Sequence, residues 1–144
     1  MLSNTCKYAI RACIYLALNA DNDKKIGIKK IADDLDIPNP FLGKIMQVLA
    51  KNKILASTKG PNGGFCLGKP AKKISLMDIV IIIDGEDSFN ACVIGACSCT
   101  TGEAHCPIHE KYGPIREQAK QLFISQDIEE LALSIKLNHN SIII

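Results

Sequence analysis

The apolar residues of the first fifty positions recur at helical spacing in three separate blocks. The first block follows Ser3, a residue type that favours helix N-caps, and its apolar positions between residues 8 and 18 can bury most of a helix circumference. The second block covers residues 28–35. The third covers residues 41–49, with Asn39 as its candidate N-cap and Pro40 suited to its first turn. The pattern predicts three helices, of which the last two are short and lie across a tight turn.

Two short helices across a tight turn have the spacing of a helix-turn-helix, whose second helix enters the major groove of DNA. We expect Phe41 and Met46 to lie on the core side of this second helix. Its solvent face would then carry Lys44, Gln47 and Lys51, all of which can reach base edges or phosphates.

The segment after these helices has the pattern of a β-hairpin. Residues 54–59 read as one strand, residues 60–64 as a glycine-rich turn, and residues 65–67 as the returning strand. The Asn62-Gly63 pair within the turn is a strong short-range hairpin signal. The sequence therefore predicts a wing, and Lys59, Asn62 and Gly63 are its candidate DNA-binding residues.

The remaining pattern predicts further helices around a long loop. Ser75 and Asp78 form a capping-box pattern before the apolar run 79–83, and residues 86–106 read as a loop. Residues 108–123 are amphipathic but contain Gly113-Pro114, which we expect to interrupt the helix, and Asp127 is suited to cap a last helix over 128–137.

The predicted fold class is mainly α with a small β-hairpin, a winged helix-turn-helix followed by a long C-terminal dimerisation helix. We expect a winged helix-turn-helix domain over residues 1–84, a cysteine-rich sensor loop over 85–106, and a dimerisation helix with a C-terminal helix over 107–144. The amphipathic C-terminal region is too long to be covered by so small a winged helix, which favours a homodimer.

Charge is distributed unevenly along the chain and changes the interpretation of the first half. Residues 24–73 contain eleven lysines and three aspartates, a local net charge of +8, so the rest of the chain carries −6 of the overall +2. Such a patch attracts a polyanion such as double-stranded DNA, although on charge alone a solubilising face is an equal alternative. Its coincidence with the predicted wing favours DNA.

Several function classes find no support in the sequence. The longest apolar helical stretch, residues 8–18, is too short to span a bilayer and carries Arg11, so we expect a cytoplasmic protein without a membrane partner. The turn at residues 60–64 lacks the Lys-Ser/Thr that follows it in a P-loop, and no grouping of nucleophile, base and orienting residue is evident. We do not expect an enzyme.

Four of the seven cysteines, Cys92, Cys97, Cys99 and Cys106, lie within fifteen residues, and the last begins a Cys-x2-His pair with His109. A tight cluster of this kind in a reducing compartment indicates a metal site, a metal–sulfur centre or a redox-active set of thiols. A tetrahedral zinc site of Cys97, Cys99, Cys106 and His109 and a metal-free thiol switch both remain open. The other three cysteines lie in apolar patterns typical of core residues: Cys6, Cys13 and Cys66.

Several segments together resemble one known family over nearly the whole chain. They are Tyr8–Ala12 with Ile14–Ala17, Ile31-Ala32, Phe41-Leu42 with Leu49, the run Lys59–Phe65, and the spaced cysteines Cys92, Cys99 and Cys106. The chain resembles the Rrf2 family of winged-helix repressors, which includes IscR-, NsrR- and CymR-like proteins. The resemblance implies a dimer in which a long C-terminal helix crosses between the protomers.

The resemblance also implies a cofactor and its ligands. Cys92, Cys99 and Cys106 match the three cluster-ligand positions of the family, and His109 lies where IscR-like members place a histidine ligand. These four residues would hold a [2Fe-2S] cluster, with Cys97 as a reserve ligand. Three thiolates and one imidazole can complete the first shell of such a cluster.

Some positions depart from the family pattern. The Cys-x6-Cys-x6-Cys spacing is looser than that of IscR, and Lys7 occupies the position where NsrR-like members carry an acidic ligand. On the DNA side, Gly43 and Lys44 match positions that present polar groups to bases, and Lys59 matches a basic wing residue that enters the minor groove. Pro38, Asn39 and Pro40 replace a serine-bearing turn of the family. DNA binding is still expected, but the operator sequence cannot be transferred from the family.

Two functions of different classes remain. The favoured one is a DNA-binding transcriptional repressor that senses iron–sulfur, redox or nitrosative status through the cluster. The alternative is a metal-binding protein-interaction module, whose binding would lack the steep salt dependence of phosphate neutralisation. The candidate DNA-binding residues are Asn39, Lys44, Gln47, Lys51, Lys59, Asn62 and Gly63.

Overall fold

The computed structural model describes residues 2–90, 94 and 107–138. These residues form helices and a two-stranded antiparallel sheet in the order predicted from the sequence. The helices are α1 (Asn4–Asn19), α2 (Ile28–Leu35), α3 (Asn39–Lys51), α4 (Leu76–Asp84), α5 (His109–Ser125) and α6 (Ile128–Asn138), and the strands are β1 (Leu55–Thr58) and β2 (Gly64–Leu67). Short 3-10 turns cover Ala71–Lys73 and Glu86–Phe89. The mainly helical winged-helix fold class is confirmed.

Helix α1 is the centre of the hydrophobic core. Ser3 caps it as predicted, because its Oγ accepts a hydrogen bond from the Cys6 amide at 3.0 Å. Helices α2, α3, α4 and α6 and strand β2 all contact α1. The helix consequently buries residues around most of its circumference: Cys6, Ala9, Ala12, Cys13, Ile14, Tyr15 and Leu16.

The turn between α2 and α3 depends on a left-handed residue. Asp36 adopts φ 52° and ψ 50° after α2, and the amide of Ile37 donates to the carbonyl of Ala32 at 3.0 Å. Helix α3 then starts one residue earlier than expected. Its N-cap is Pro38 and not Asn39, which is the first helical residue and makes no capping contact.

Prediction and structure also differ at Phe41. Met46 is fully buried as predicted, but Phe41 is 38% exposed. The ring of Phe41 lies at the side of α3 and meets Tyr8 of α1 edge to face, with ring centroids 5.8 Å apart. Phe41 therefore occupies a position of the apolar repeat but lies at the margin of the core.

The hairpin pairs Leu55 with Leu67 and Thr58 with Gly64, and Ile26 forms an antiparallel bridge with Phe65 near its turn end. A Cβ on Gly63 would lie 2.2 Å from the Thr58 carbonyl oxygen, so the turn requires glycine at this position. The wing is thus attached both to α3, which precedes it, and to the segment that leads into α2.

The C-terminal half begins at α4, whose predicted capping box is present. The Ser75 Oγ accepts from the Asp78 amide, and the Asp78 carboxylate accepts from the Ser75 amide. The predicted interruption of α5 is wrong, because α5 continues through Gly113 and Pro114. Pro114 lacks the amide that would bond the carbonyl of Glu110, and its ring crowds that carbonyl. Both effects are confined to one turn, and the remaining turns of this 17-residue helix tolerate them.

Helix α6 returns to the winged helix. Asp127 caps it as predicted, accepting from the Glu130 amide at 2.9 Å, and the amide of Ile128 donates to the carbonyl of Ile74. Ile128 and Ala132 are buried, and α6 packs on α1. No helix among the described residues combines the length and apolarity needed to cross a bilayer.

Candidate nucleic-acid interface and cysteine segment

The exposed face of α3 brings together three of the candidate residues. Lys44, Gln47 and Lys51 are all exposed, while the opposite face of α3 is buried against the core through Leu42, Ile45, Met46 and Leu49. Positions 44, 47 and 51 fall on one side of a helix, where they span about two turns, roughly 10 Å. Asn39 is also exposed, at the first residue of α3.

The wing follows α3 after a connection of three residues, 52–54. Lys53 adopts a left-handed conformation with φ 60°, and the amide of Ile54 donates to the carbonyl of Leu49 at 3.0 Å. This closure fixes where β1 leaves the end of α3. Lys59 and Asn62 are exposed in the turn, whereas Gly63 is half-buried beneath it and has a conformational role within the hairpin.

Most of the lysines between residues 24 and 73 carry uncompensated charge. Among the described residues, only two of these eleven have a carboxylate within 4.0 Å. Lys30 pairs with Asp34 at 2.8 Å, and Lys69 lies 3.7 Å from Asp78. Lys44, Lys51 and Lys59 are not among these pairs, so their ammonium groups are available to an external anion.

Two features of α3 were missed by the sequence analysis. Val48 is 41% exposed on the helix that carries Lys44 and Lys51. A Cβ on Gly43 would meet nothing within 4 Å, so no contact within the described part of the chain requires glycine there. A helical projection of residues 39–51 would have placed Val48 beside the polar face. The space around Gly43 could be known only from the structure.

Of the predicted metal ligands, only His109 lies among the described residues. His109 is half-buried and is the first residue of α5, and Pro107 and Ile108 form a turn before it. The candidates Cys92, Cys97, Cys99 and Cys106 lie outside the described residues. Within the described residues alone, no group of three His, Cys, Asp or Glu side chains forms a metal site.

The predicted core cysteines are confirmed as core residues. Cys6, Cys13 and Cys66 are at most 2% exposed. Burial raises the pKa of Cys13 to about 12, and burial together with the nearby Asp84 carboxylate raises the pKa of Cys6 to about 12. These two thiols stay protonated at neutral pH, so they are poor nucleophiles and poor metal ligands.

The sequence of the chain is similar to those of known proteins. The profile of the Rrf2 family, described as iron-dependent transcriptional regulators, matches residues 2–133. A candidate helix-turn-helix transcriptional regulator of Aquifex aeolicus is 37% identical over 100 residues, which cover 69% of this chain and 68% of that protein. The regulator IscR of Cronobacter sakazakii is 30% identical over 83 residues, which cover 58% of this chain and 51% of IscR.

Solved structures share the fold at lower sequence identity. The cysteine regulator CymR of B. subtilis superposes with a TM-score of 0.78 at 21% identity, covering 93% of this chain and 97% of CymR. IscR of T. potens gives a TM-score of 0.69 at 18% identity, covering 93% of this chain and 88% of that protein. The family profile extends over nearly all of the described residues, from α1 into α6. The chain therefore belongs to the Rrf2 family of transcriptional regulators.

Proposed function

We propose that this chain is a cytoplasmic, homodimeric repressor that binds a double-stranded DNA operator and senses iron–sulfur, redox or nitrosative status through a [2Fe-2S] cluster. The observation that carries the DNA-binding part is the position of the unpaired lysines. They lie on the exposed face of α3 and on the wing that follows it, the two elements with which winged helices contact DNA.

The chemistry of the α3 face suits the major groove. Lys44 and Lys51 can donate to guanine acceptors or to phosphates, and Gln47 can form a bidentate pair with adenine. Val48 offers an apolar surface to the methyl group of thymine. Because Gly43 has open space around it, DNA could approach the α3 backbone closely at this point.

The wing supplies contacts of a different kind. Lys59 and Asn62 are exposed at its turn. The turn backbone is tightly packed there, because Gly63 lies too close to the Thr58 carbonyl oxygen to carry a side chain. We assign Lys59 to the phosphate backbone or the minor groove, where a lysine adds affinity with little sequence information. Lys44, in contrast, would influence which sequence is bound.

Replacing Lys59 with Ala should weaken binding to all duplexes and make the slope of log affinity against log salt shallower by about one unit, because one phosphate contact is lost. Lys44→Ala should instead change the preferred sequence. The test is a fluorescence-anisotropy titration of duplex DNA with each variant at several salt concentrations. Lys136→Ala, which removes an exposed lysine from α6, is the matched control. Unchanged Lys59→Ala affinity would refute the wing assignment, and wild-type binding without salt dependence would favour the protein-interaction module.

The donor set of the cysteine segment fits an iron–sulfur cluster. Cys92, Cys99 and Cys106 provide three thiolates and His109 an imidazole, and Cys97 is a spare thiol within the same stretch. A bound cluster of this type would supply one-electron redox chemistry, with a potential raised by the imidazole ligand. The half-buried position of His109 at the start of α5 would couple that site to the helix proposed for dimerisation.

Anaerobic reconstitution with iron and sulfide should give wild-type protein a visible absorption spectrum with matching iron and sulfide contents. Cys92→Ser or Cys106→Ser should abolish the chromophore, Cys97→Ser should retain it, and His109→Ala should retain a cluster with altered colour and potential. Cys97→Ser is the matched control, since it removes a thiol from the same stretch. Uptake of zinc alone, or unaltered DNA affinity after loss of the cluster, would contradict this mechanism. The zinc site or the metal-free thiol switch would then be favoured.

The homodimer is proposed from the surface of α5. Helix α5 buries none of its residues within the described chain, and Ile115 and Leu122, seven residues apart on one face, are 59% and 55% exposed. Ile124 of α5 and Leu133 and Leu137 of α6 are also exposed. An exposed apolar stripe of this length is typical of an interface. In a twofold dimer, α5 of the partner subunit would present the same stripe and bury both.

Sedimentation velocity should therefore detect a dimer at micromolar concentration and a monomer for Leu122→Lys. Burial of one leucine stabilises by about 1.5–3 kcal/mol, and a twofold interface contains two copies, so Kd should rise by about 10² to 10⁴. The control Gln121→Lys adds the same charge on a neighbouring exposed position. A monomeric wild-type protein would contradict the dimer.

A further inference from the structure

Two residues one turn apart on α1 contact both sides of the turn between α2 and α3. The Nη2 of Arg11 donates to the carbonyl oxygen of Leu35 at 2.8 Å, and Leu35 is the last residue of α2. The ring of Tyr8 meets Phe41, in the first turn of α3, at 5.8 Å and an interplanar angle of 86°. The Arg11 guanidinium carbon also lies 5.8 Å from the Tyr8 ring centroid.

The contact of Arg11 compensates an unfavourable helix end. The last carbonyls of a helix lack intrahelical partners and carry the negative end of the helix dipole, which cations stabilise. Helix α2 has no basic residue in its last turn, and Asp33 and Asp36 add negative charge there, while Asp34 is paired with Lys30. Arg11 supplies the missing cation from a different helix.

The contact of Tyr8 holds the other side of the turn. Phe41 is 38% exposed at the margin of the core, and its ring meets Tyr8 of α1 edge to face. Arg11 stacks against Tyr8 and is itself half-buried, and its Nε has no hydrogen-bond acceptor among the described residues. The guanidinium is thus held by the Leu35 carbonyl and the Tyr8 ring, so the two contacts depend on each other.

We propose that Arg11 and Tyr8 form a clamp that fixes the orientation of α3 relative to α2, and that this clamp sets the DNA sequence discrimination without contacting DNA. The inference rests on the proposed DNA-binding function. Both residues are positioning residues, because the Arg11 guanidinium contacts the end of α2 and the Tyr8 ring contacts the first turn of α3. Loss of the clamp leaves the lysines in place, so electrostatic binding persists, while the base contacts of α3 lose their register.

The test compares Arg11→Met and Tyr8→Leu with wild type, using the full-length protein purified anaerobically. A preferred duplex is first selected with wild type from a random pool, and affinities for it and for an unrelated duplex are measured at several salt concentrations. Both variants should lose at least tenfold in the ratio of the two affinities. Affinity for the unrelated duplex and its salt slope should stay at the wild-type values. The control Arg116→Met removes one charge from α5 and should change neither ratio nor slope.

Amide hydrogen exchange tests the clamp without DNA. In Arg11→Met the amides of Ile37, Phe41 and Leu42, which close the turn and start α3, should exchange at least tenfold faster. The amide of Ile54, at the opposite end of α3, should be unchanged. Arg11→Lys keeps the charge but not the planar fork and should show an intermediate effect in both assays.

Three results would overturn the clamp. They are wild-type discrimination in folded Arg11→Met, a uniform slowing or acceleration of exchange across α3, or a salt slope shallower by one unit, which would place Arg11 on a phosphate. If wild type binds no duplex but the exchange result holds, the proposed DNA-binding function fails while the clamp remains.

Discussion

Burial of α1 is the constraint on which the arrangement of the other elements depends. This helix contacts α2, α3, α4, α6 and β2, and its own residues are buried around most of its circumference. A large buried apolar side chain such as Ile14 or Leu16 stabilises the fold by about 1.5–3 kcal/mol relative to an exposed one. Elements that are far apart in the sequence are therefore held at fixed positions around a single helix.

The candidate DNA-binding surface follows from that constraint. Because α3 buries Leu42, Ile45, Met46 and Leu49 against the core, its lysines and Gln47 must face outward. Left-handed residues at Asp36 and Lys53 then set how the chain enters and leaves the segment around α3. The bridge between Ile26 and Phe65 attaches the wing to the segment that leads into α2, in addition to its chain connection with α3.

Local signals were sufficient to predict much of this fold. Side-chain caps at Ser3, Ser75 and Asp127 and the Asn62-Gly63 turn act within a few residues, so a sequence pattern contains them completely. The errors arose where a local signal was followed although packing decided the outcome. Asn39 has the composition of a cap and Gly113-Pro114 that of a break, but whether a helix starts or continues there depends on the neighbouring packing.

Contacts across long sequence distances could not be predicted. The bond from Arg11 to the Leu35 carbonyl joins residues 24 positions apart, and nothing in the local pattern of either residue indicates it. The same holds for the position of Phe41, whose ring contacts Tyr8 of another helix. The cysteine ligands were proposed from residue type, spacing and family resemblance, and they remain a proposal, with only His109 among the described residues.

The central claim is that the exposed face of α3 and the wing form one DNA-binding surface held together by the core. Amide hydrogen exchange of the full-length protein, with and without a duplex of about twenty base pairs at low salt, tests it most directly. We expect added protection to be confined to residues 39–51 and 58–64, with the buried amides of α1 unchanged. Protection of α5 and α6 in place of these segments would contradict it.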